Sequence, residues 1–330
     1  MRPRLRAEPE AASRGGPAAA EQRRFLQDAL EGLSARPRSL PSRWFYDARG
    51  SQLFQWISRL PDYYLTRAET EILRRHGGAV AALLAGRPCT VVDLGAGDGH
   101  KTHLLLARLR ERVPSLRYVP LDVSPAALAE AAARVRAALP GVAVRPLRAE
   151  YAEGLRRLPA GPGGRLVLFL GSNVGNLESD AAERFLRGLR LALRPGDHAL
   201  VGFDLVKPLD RLRRAYDDPQ GVTRAFNLNL LARMNRELGA DFALSGFRHR
   251  ATWDRRRPAM ESWLESVRRQ EVRLAGRTFR FEPGERIHTE ISRKFTPAAI
   301  VALARTAGFR PVATFRDGRG WFADALWRVD

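Results

Sequence analysis

The stretch CTVVDLGAGDGHKTHLLLARLRER, residues 89–112, constrains this chain more than any other. Its β-branched run, Thr90 to Leu94, predicts a short buried strand. Leu104, Leu105 and Leu109 then supply the apolar stripe of an amphipathic helix. Between the two, Gly95, Gly97 and Gly99 permit a tight turn and a close approach of backbone to a ligand. A phosphate-binding P-loop needs an uninterrupted Gly-Lys-Thr, and here His100 separates Gly99 from Lys101. The dinucleotide spacing G-x-G-x-x-G is missed as well, because the third glycine comes one residue early.

The spacing that remains, Asp93-x-Gly95-x-Gly97-x-Gly99, is that of S-adenosylmethionine (AdoMet) methyltransferases. Downstream segments agree with it. RYVPLDVS predicts a second strand ending in Asp122, where an acid can accept both ribose hydroxyls. AVRPLRAEY predicts a third, ending at Glu150 and Tyr151, where the adenine is expected. RLVLFLGSNVGNL opens with a fully apolar fourth strand, buried on both faces, and HALVGFDLV is a fifth. Helical segments such as SPAALAEAAARVRAAL alternate with these strands. The expected fold class is therefore α/β: a Rossmann-like, parallel, doubly wound sheet with ligands at the carboxyl ends of its strands. The closing segment adds a helix, a strand, a turn at 317–320 and a last strand.

A formal charge of +20 raises the question of nucleic acid. Lysine, however, occurs only at Lys101, Lys207 and Lys294. The arginines are scattered over polar helix faces, as in RVRAAL, GLRRL and RLRRAY, so no nucleic-acid partner is expected. In a chain this poor in Lys and Asn, the survivors mark positions that resist substitution; the asparagines are Asn173, Asn176, Asn227, Asn229 and Asn235. The single cysteine, Cys89, excludes an internal disulfide and fits a reducing cytoplasm. No apolar run is long enough to span a membrane. A cytoplasmic monomer without metal is expected, with residues 1–19 as a disordered tail.

Four longer segments carry a family likeness. FYDARGSQLFQWISRLPDYYLTRAE, FLGSNVGN, AYDDPQGVTRAFNLNLLARMNRELGADF and ERIHTEISRKF resemble the histidine-specific N-alpha-methyltransferases of ergothioneine biosynthesis, from Arg38 to the C-terminus. The resemblance implies AdoMet as cofactor, L-histidine as substrate and up to three transfers, giving hercynine. It implies a substrate-binding domain from 20–69 and 205–294, and an AdoMet-binding domain from 70–204 and 295–330. Tyr46 and Tyr63 would lie near the amine and Asn176 on the amino acid's main-chain groups, the three forming the catalytic set. Tyr216 would bind the carboxylate, and Glu290 and Ser292 would read the imidazole from one face of a strand. On the cofactor side the resemblance points to Gly95, Gly97, Lys101, Asp122, Glu150 and Tyr151. Thr66 and Glu69 have the spacing of a capping box, which would start the helix leading into the cofactor domain.

In AMESWL the chain departs from the family's usual Glu-Met-x-Leu: Met260 precedes Glu261 and Ser262 follows it, so the ring pocket is expected to differ. The alternatives are a related N-methyltransferase acting on another amino acid or an indole amine, and an RNA-modifying methyltransferase. The turn SNVGN offers no aromatic ring for stacking on a base, which counts against the last.

Overall fold

A computed structural model describes residues 17–158 and 163–330. Most of the expected tail, 1–16, lies outside the described residues; Pro17 to Ala19 belong to the first helix, which corrects that boundary. This helix, α1 (Pro17–Ser34), buries Phe25, Ala29 and Leu33, spaced so that they share one face. A two-residue strand β1 (Arg38–Ser39) and a 3₁₀ turn (Ser42–Phe45) lead to α2 (Ala48–Arg59). Asp47 caps α2 by accepting the Gly50 N–H at 2.6 Å.

Next comes α3 (Leu65–Leu83), and here the expected capping box fails. The helix begins at Leu65 with Tyr64 at its N-cap and no side-chain capping bond. Glu69 is fully buried and bonded to other parts of the chain, so it is not available to its own helix terminus.

Strands and helices then alternate as β2 (Cys89–Leu94), α4 (Thr102–Arg110), β3 (Leu116–Asp122) and α5 (Pro125–Ala138). The short β4 (Ala143–Val144) and β5 (Leu147–Arg148) precede α6 (Tyr151–Arg156), β6 (Gly164–Phe169), α7 (Ser179–Ala192) and β7 (His198–Asp204). The expected third strand is thus two short pieces, because Pro146 falls between them and has no N–H for a ladder. An insertion follows: α8 (Leu209–Tyr216), α9 (Val222–Leu238), β8 (Phe247–Asp254), β9 (Ala259–Ser266), β10 (Gln270–Leu274), β11 (Arg277–Phe281) and β12 (Arg286–Arg293). The chain closes with α10 (Pro297–Thr306), β13 (Arg310–Arg316) and β14 (Phe322–Arg328). Ser124 and Thr296 cap α5 and α10, each just before a proline at the first helical position.

The main sheet runs β13-β14-β7-β6-β2-β3-β4, with β5 also on β3. It is parallel from β4 through β7 and antiparallel at the closing pair β14 and β13. Every residue of β2 and β7 is buried, as a strand covered on both faces requires. The inserted segment forms a second sheet, β1-β12-β9-β8, in which β1 alone comes from the N-terminal part. A bridge between Leu205 and Phe295 closes the insertion, so it leaves and returns at the carboxyl end of β7. One apolar cluster joins Phe25, Trp44 and Phe45 to Phe226, Leu230 and Phe281, fusing the N-terminal helices with the insertion. A smaller one, with Tyr64, Ile72, Tyr216, Met260 and Phe322, packs the insertion onto the main sheet. Both clusters take residues from the aromatic N-terminal stretch, which is why it is so apolar.

Candidate active site

The loop after β2 is held from below by Asp93. Its buried carboxylate accepts from Thr102 Oγ1 at 2.6 Å and from the Tyr118 hydroxyl at 3.0 Å, and burial pushes its pKa up to about 6. Gly95, at φ +74°, has no room for a side chain: a Cβ would lie 2.7 Å from the Tyr151 hydroxyl oxygen and 2.8 Å from Asn173 Nδ2. Gly97 differs. Its N–H donates to Asp122 Oδ2 at 3.1 Å, and a Cβ there would meet no atom within 4 Å. The Ser124 N–H donates to the other Asp122 oxygen at 2.9 Å, and burial raises this carboxyl above its usual range. An open glycine cradle beside an oriented carboxylate fits a ribose diol and the chain attached to it.

Tyr151, at the head of α6, packs edge-on against Phe169 with ring centroids 5.1 Å apart. Glu150 just before it is partly exposed and bonded to Arg24 of α1 at 2.7 Å. Lys101 is paired with Glu69, whose other oxygen accepts the Gly171 N–H at 2.7 Å. Burial works against the Lys101 charge, but the Glu69 carboxylate outweighs it and raises the pKa. Asp324 of β14 lies beside Glu69, and among the described residues no donor reaches either of its oxygens. Burial, then the Glu69 charge, pushes its carboxyl well above the usual range.

The second half of the site comes from the N-terminal segment and the insertion. Tyr46, Phe54, Tyr63 and Phe226 form an aromatic wall: Tyr46 lies 5.8 Å from both phenylalanine centroids, and Phe54 lies 6.3 Å from Tyr63. Burial and then the charge of Glu290 push the Tyr46 hydroxyl well above its usual range, with Tyr151, Tyr63 and Asp122 adding to the effect. Tyr63 is raised by burial, then by Tyr216 and Glu290.

Asn176 ends the 3₁₀ turn Asn173–Asn176 after β6, and its Nδ2 donates to Glu290 Oε1 at 3.4 Å. Glu290 and Ser292 project from β12 opposite Ser262 and Met260 of β9, beyond a register shift between His288 and Glu290. The departure at AMESWL thus has a definite form: Ser262 is the cross-strand neighbour of Glu290, and Met260 that of Ser292. Burial pushes Glu290 up to about 7, with Lys294 opposing.

Behind this face lies a polar cluster that joins Tyr216 and Ser292 to Lys294 and Asp204, two residues the sequence reading did not include in the site. Lys294 Nζ donates to Tyr216 Oη and Ser292 Oγ, each at 2.7 Å, and lies 2.9 Å from Asp204 Oδ2. Tyr216 Oη and Ser292 Oγ are themselves 2.7 Å apart. Asp204, fully buried at the end of β7, also accepts from the Tyr64 hydroxyl at 2.8 and 2.9 Å and from Lys207. Of the predicted residues, Tyr216 and Ser292 belong to this cluster and Asn176 bonds Glu290 beside it, while Gly95, Gly97, Asp122, Glu150 and Tyr151 lie at the ends of β2, β3 and β5. Those missed were Lys294, Asp204, Glu69, Asp324, Phe54 and Phe226. The scarcity of lysine was the one signal in the sequence that pointed at the cluster: Lys207 and Lys294 both end on Asp204, and Lys101 on Glu69.

Comparison with known proteins bears on this geometry. The profile of a family described as histidine-specific, SAM-dependent methyltransferases matches residues 25–329. A histidine N-alpha-methyltransferase of Mycobacterium tuberculosis is 44% identical over 302 residues, spanning 91% of this chain and 93% of that protein. Its counterpart in Mycolicibacterium smegmatis is 43% identical over the same shares. Ergothioneine biosynthesis protein 1 of Schizosaccharomyces pombe is 28% identical over 88% of this chain and 39% of its own length.

Proposed function

The chain belongs to the histidine-specific, AdoMet-dependent methyltransferases, and from that premise we propose that it methylates the alpha-amino nitrogen of free L-histidine, in up to three transfers ending at hercynine. The observation that carries the proposal is the 3.4 Å bond from Asn176, in the turn after β6 of the main sheet, to Glu290 of the insertion, which sets the proposed substrate residues against the ends of the cofactor strands. A ring held at Glu290 and a cofactor held at Asp122 would then meet at the aromatic wall. The N-terminal segment with the insertion acts as the substrate-binding domain, and the main sheet as the cofactor domain. The working unit is a cytoplasmic monomer that takes a small molecule and no nucleic acid.

Bound AdoMet supplies an electrophilic sulfonium methyl. Gly95, Gly97, Asp122, Glu150 and Tyr151 would hold its adenosine, and Lys101 its carboxylate, helped by the N-terminus of α4. The protein's task is to present a neutral amine in line with that methyl, which is chiefly a matter of positioning. Tyr216 takes the amino acid's carboxylate, Asn176 its main-chain groups, and Tyr46 and Tyr63 the amine. Because both phenols are pushed above their usual range, they stay protonated at neutral pH and orient the amine by hydrogen bonds. They are not its bases; the amine's proton leaves to water before each transfer. As methyl groups accumulate, the aromatic wall receives the fixed positive charge by cation–π attraction, about 0.5–2 kcal/mol.

Glu290 and Ser292 favour a ring with two nitrogens over an indole, which offers one N–H. A mass-spectrometric assay with AdoMet, a panel of free amino acids and histamine tests the proposal. Three successive additions of a methyl group to histidine and none to histamine are expected. Methylation of another amino acid with histidine untouched would overturn the choice of substrate.

A further inference from the structure

Lys294 is fully buried and its ammonium has three hydrogens. Three acceptors surround it: Asp204 Oδ2 at 2.9 Å, Tyr216 Oη at 2.7 Å and Ser292 Oγ at 2.7 Å. Two hydrogens go to the hydroxyls, the charge is paired with Asp204 and the side chain is wholly buried, so Lys294 itself touches no ligand. Its effect passes through the two hydroxyls. They accept from the same ammonium, and at 2.7 Å from each other one hydrogen must lie between them. Two hydroxyl hydrogens minus that one leaves a single hydrogen to offer outward.

This count restricts what the site can bind. If Tyr216 donates to Ser292, the outward hydrogen is on the serine and Tyr216 offers only a lone pair. If Ser292 donates to Tyr216, the tyrosine offers the hydrogen and the serine the lone pair. A ligand carboxylate has no hydrogen to give, so a carboxylate at Tyr216 selects the second arrangement. Ser292 must then meet the ring as an acceptor. We propose that Lys294 is the positioning residue of the amino-acid site, binding Tyr216 and Ser292 into one unit that donates at the carboxylate and accepts at the ring. The inference rests on the substrate reading given above, which puts the carboxylate at Tyr216 and the ring at Ser292. A compact ammonium suits the apex of this triangle, whereas a planar guanidinium does not.

The test is histidine binding to the full chain loaded with S-adenosylhomocysteine, followed by calorimetry, for Lys294→Met and Lys294→Arg. Removing Lys294 leaves Asp204 with Tyr64 and Lys207, so the carboxylate keeps partners and folding is expected to survive. Both variants should lose at least tenfold in histidine affinity while binding of S-adenosylhomocysteine stays within twofold. Failure of arginine to rescue is the sign of apex geometry; restoration by Lys294→Arg would mean that only the charge beside Asp204 matters and would overturn the proposal. A second measurement needs no change at Lys294. Tyr216→Phe, Ser292→Ala and the double variant should be non-additive by at least fivefold in histidine affinity, because the two hydroxyls act as one unit. Additivity within twofold would overturn the proposal even if both Lys294 variants unfold. Wild-type enzyme that neither binds nor methylates histidine would instead defeat the substrate reading itself.

Discussion

If Ser292 accepts a ring N–H, the other ring nitrogen must share a single proton with Glu290, and this has a measurable consequence. The proton can sit on Glu290, facing a neutral imidazole, or on the ring, facing a carboxylate. At low pH both partners are protonated and the charge-assisted bond between them is lost; at high pH neither is, and two lone pairs face each other. Glu290 is pushed up to about 7 by burial, and a free imidazole titrates near ~6.5. Affinity should therefore peak between these values and fall on both sides. The fall stops when the contact itself is lost, which for a hydrogen bond to a charged group is about 1.5–3 kcal/mol, or roughly ten- to hundredfold.

Hercynine is the ligand of choice for this measurement, because its quaternary nitrogen carries no proton. Calorimetric titration into the enzyme loaded with S-adenosylhomocysteine, from pH 5.5 to 9, should give a bell-shaped affinity. In Glu290→Gln the amide N–H donates to a neutral ring at any pH, so the acid limb stays and the alkaline limb vanishes. The other groups around Glu290 are Asn176, Lys294, Tyr46, Tyr63 and Tyr216. The tyrosines are raised out of this window, and a limb due to Lys294 would persist in Glu290→Gln. Wild-type affinity that holds level or climbs from pH 7 to 9 would refute the reasoning: Glu290 would then be accepting a ring N–H, with Ser292 as donor.

Other expectations follow from the same geometry. Gly97→Ala should melt close to wild type, losing about 1–2 kcal/mol to its left-handed backbone, yet fail to bind S-adenosylhomocysteine because its methyl fills the cradle. Gly95→Ala should cost more stability, since its methyl strikes Tyr151 and Asn173; equal melting temperatures for the two variants would count against this contrast. Lys101→Met strands the buried Glu69 charge beside Asp324 and should lower unfolding free energy by about 3 kcal/mol in denaturant titration. Burial and the Glu69 charge raise the Asp324 carboxyl and favour its neutral form, so Asp324→Asn should cost less than about 1 kcal/mol; a loss like that of Lys101→Met would show that Asp324 is ionised. Glu290 has a raised folded pKa, so its favourable contribution is complete below about 4.5 and disappears as pH rises through about 7. The melting advantage of Glu290→Gln over wild type should accordingly grow from pH 5 to pH 8, and a constant difference would contradict the raised value.

The main sheet was legible because its central strands β2, β6 and β7 are buried and largely apolar, and because two helices announce their starts at Ser124-Pro125 and Thr296-Pro297. Local signals misled where a tertiary contact took the residue. Thr66 and Glu69 have the spacing of a capping box, but Glu69 is taken by Lys101 and by the Gly171 N–H. Such a pairing spans more than a hundred residues for Gly171 and leaves no trace in the helix's own pattern. The third strand shows the same limit in a milder form, since a register broken at Pro146 depends on what β3 offers on either side. The candidate site residues were named through a family likeness, and the buried groups that hold two of them, Lys294 and Asp204, were not.

The lysines are the exception, and the reason is physical. A guanidinium is planar and demands room for a fork of five donors, and it stays charged in any protein environment. It serves well on the surface, where this chain places nearly all of its basic charge. An ammonium is compact and points three hydrogens at three separate acceptors. Lys294 uses that geometry between Asp204, Tyr216 and Ser292, and Lys207 uses it between Asp204, the Tyr64 hydroxyl and the Leu205 carbonyl. Lys101 is also turned inward, onto Glu69. In a chain so skewed, each remaining lysine points to an interior polar junction, and two of the three meet on the same carboxylate, Asp204.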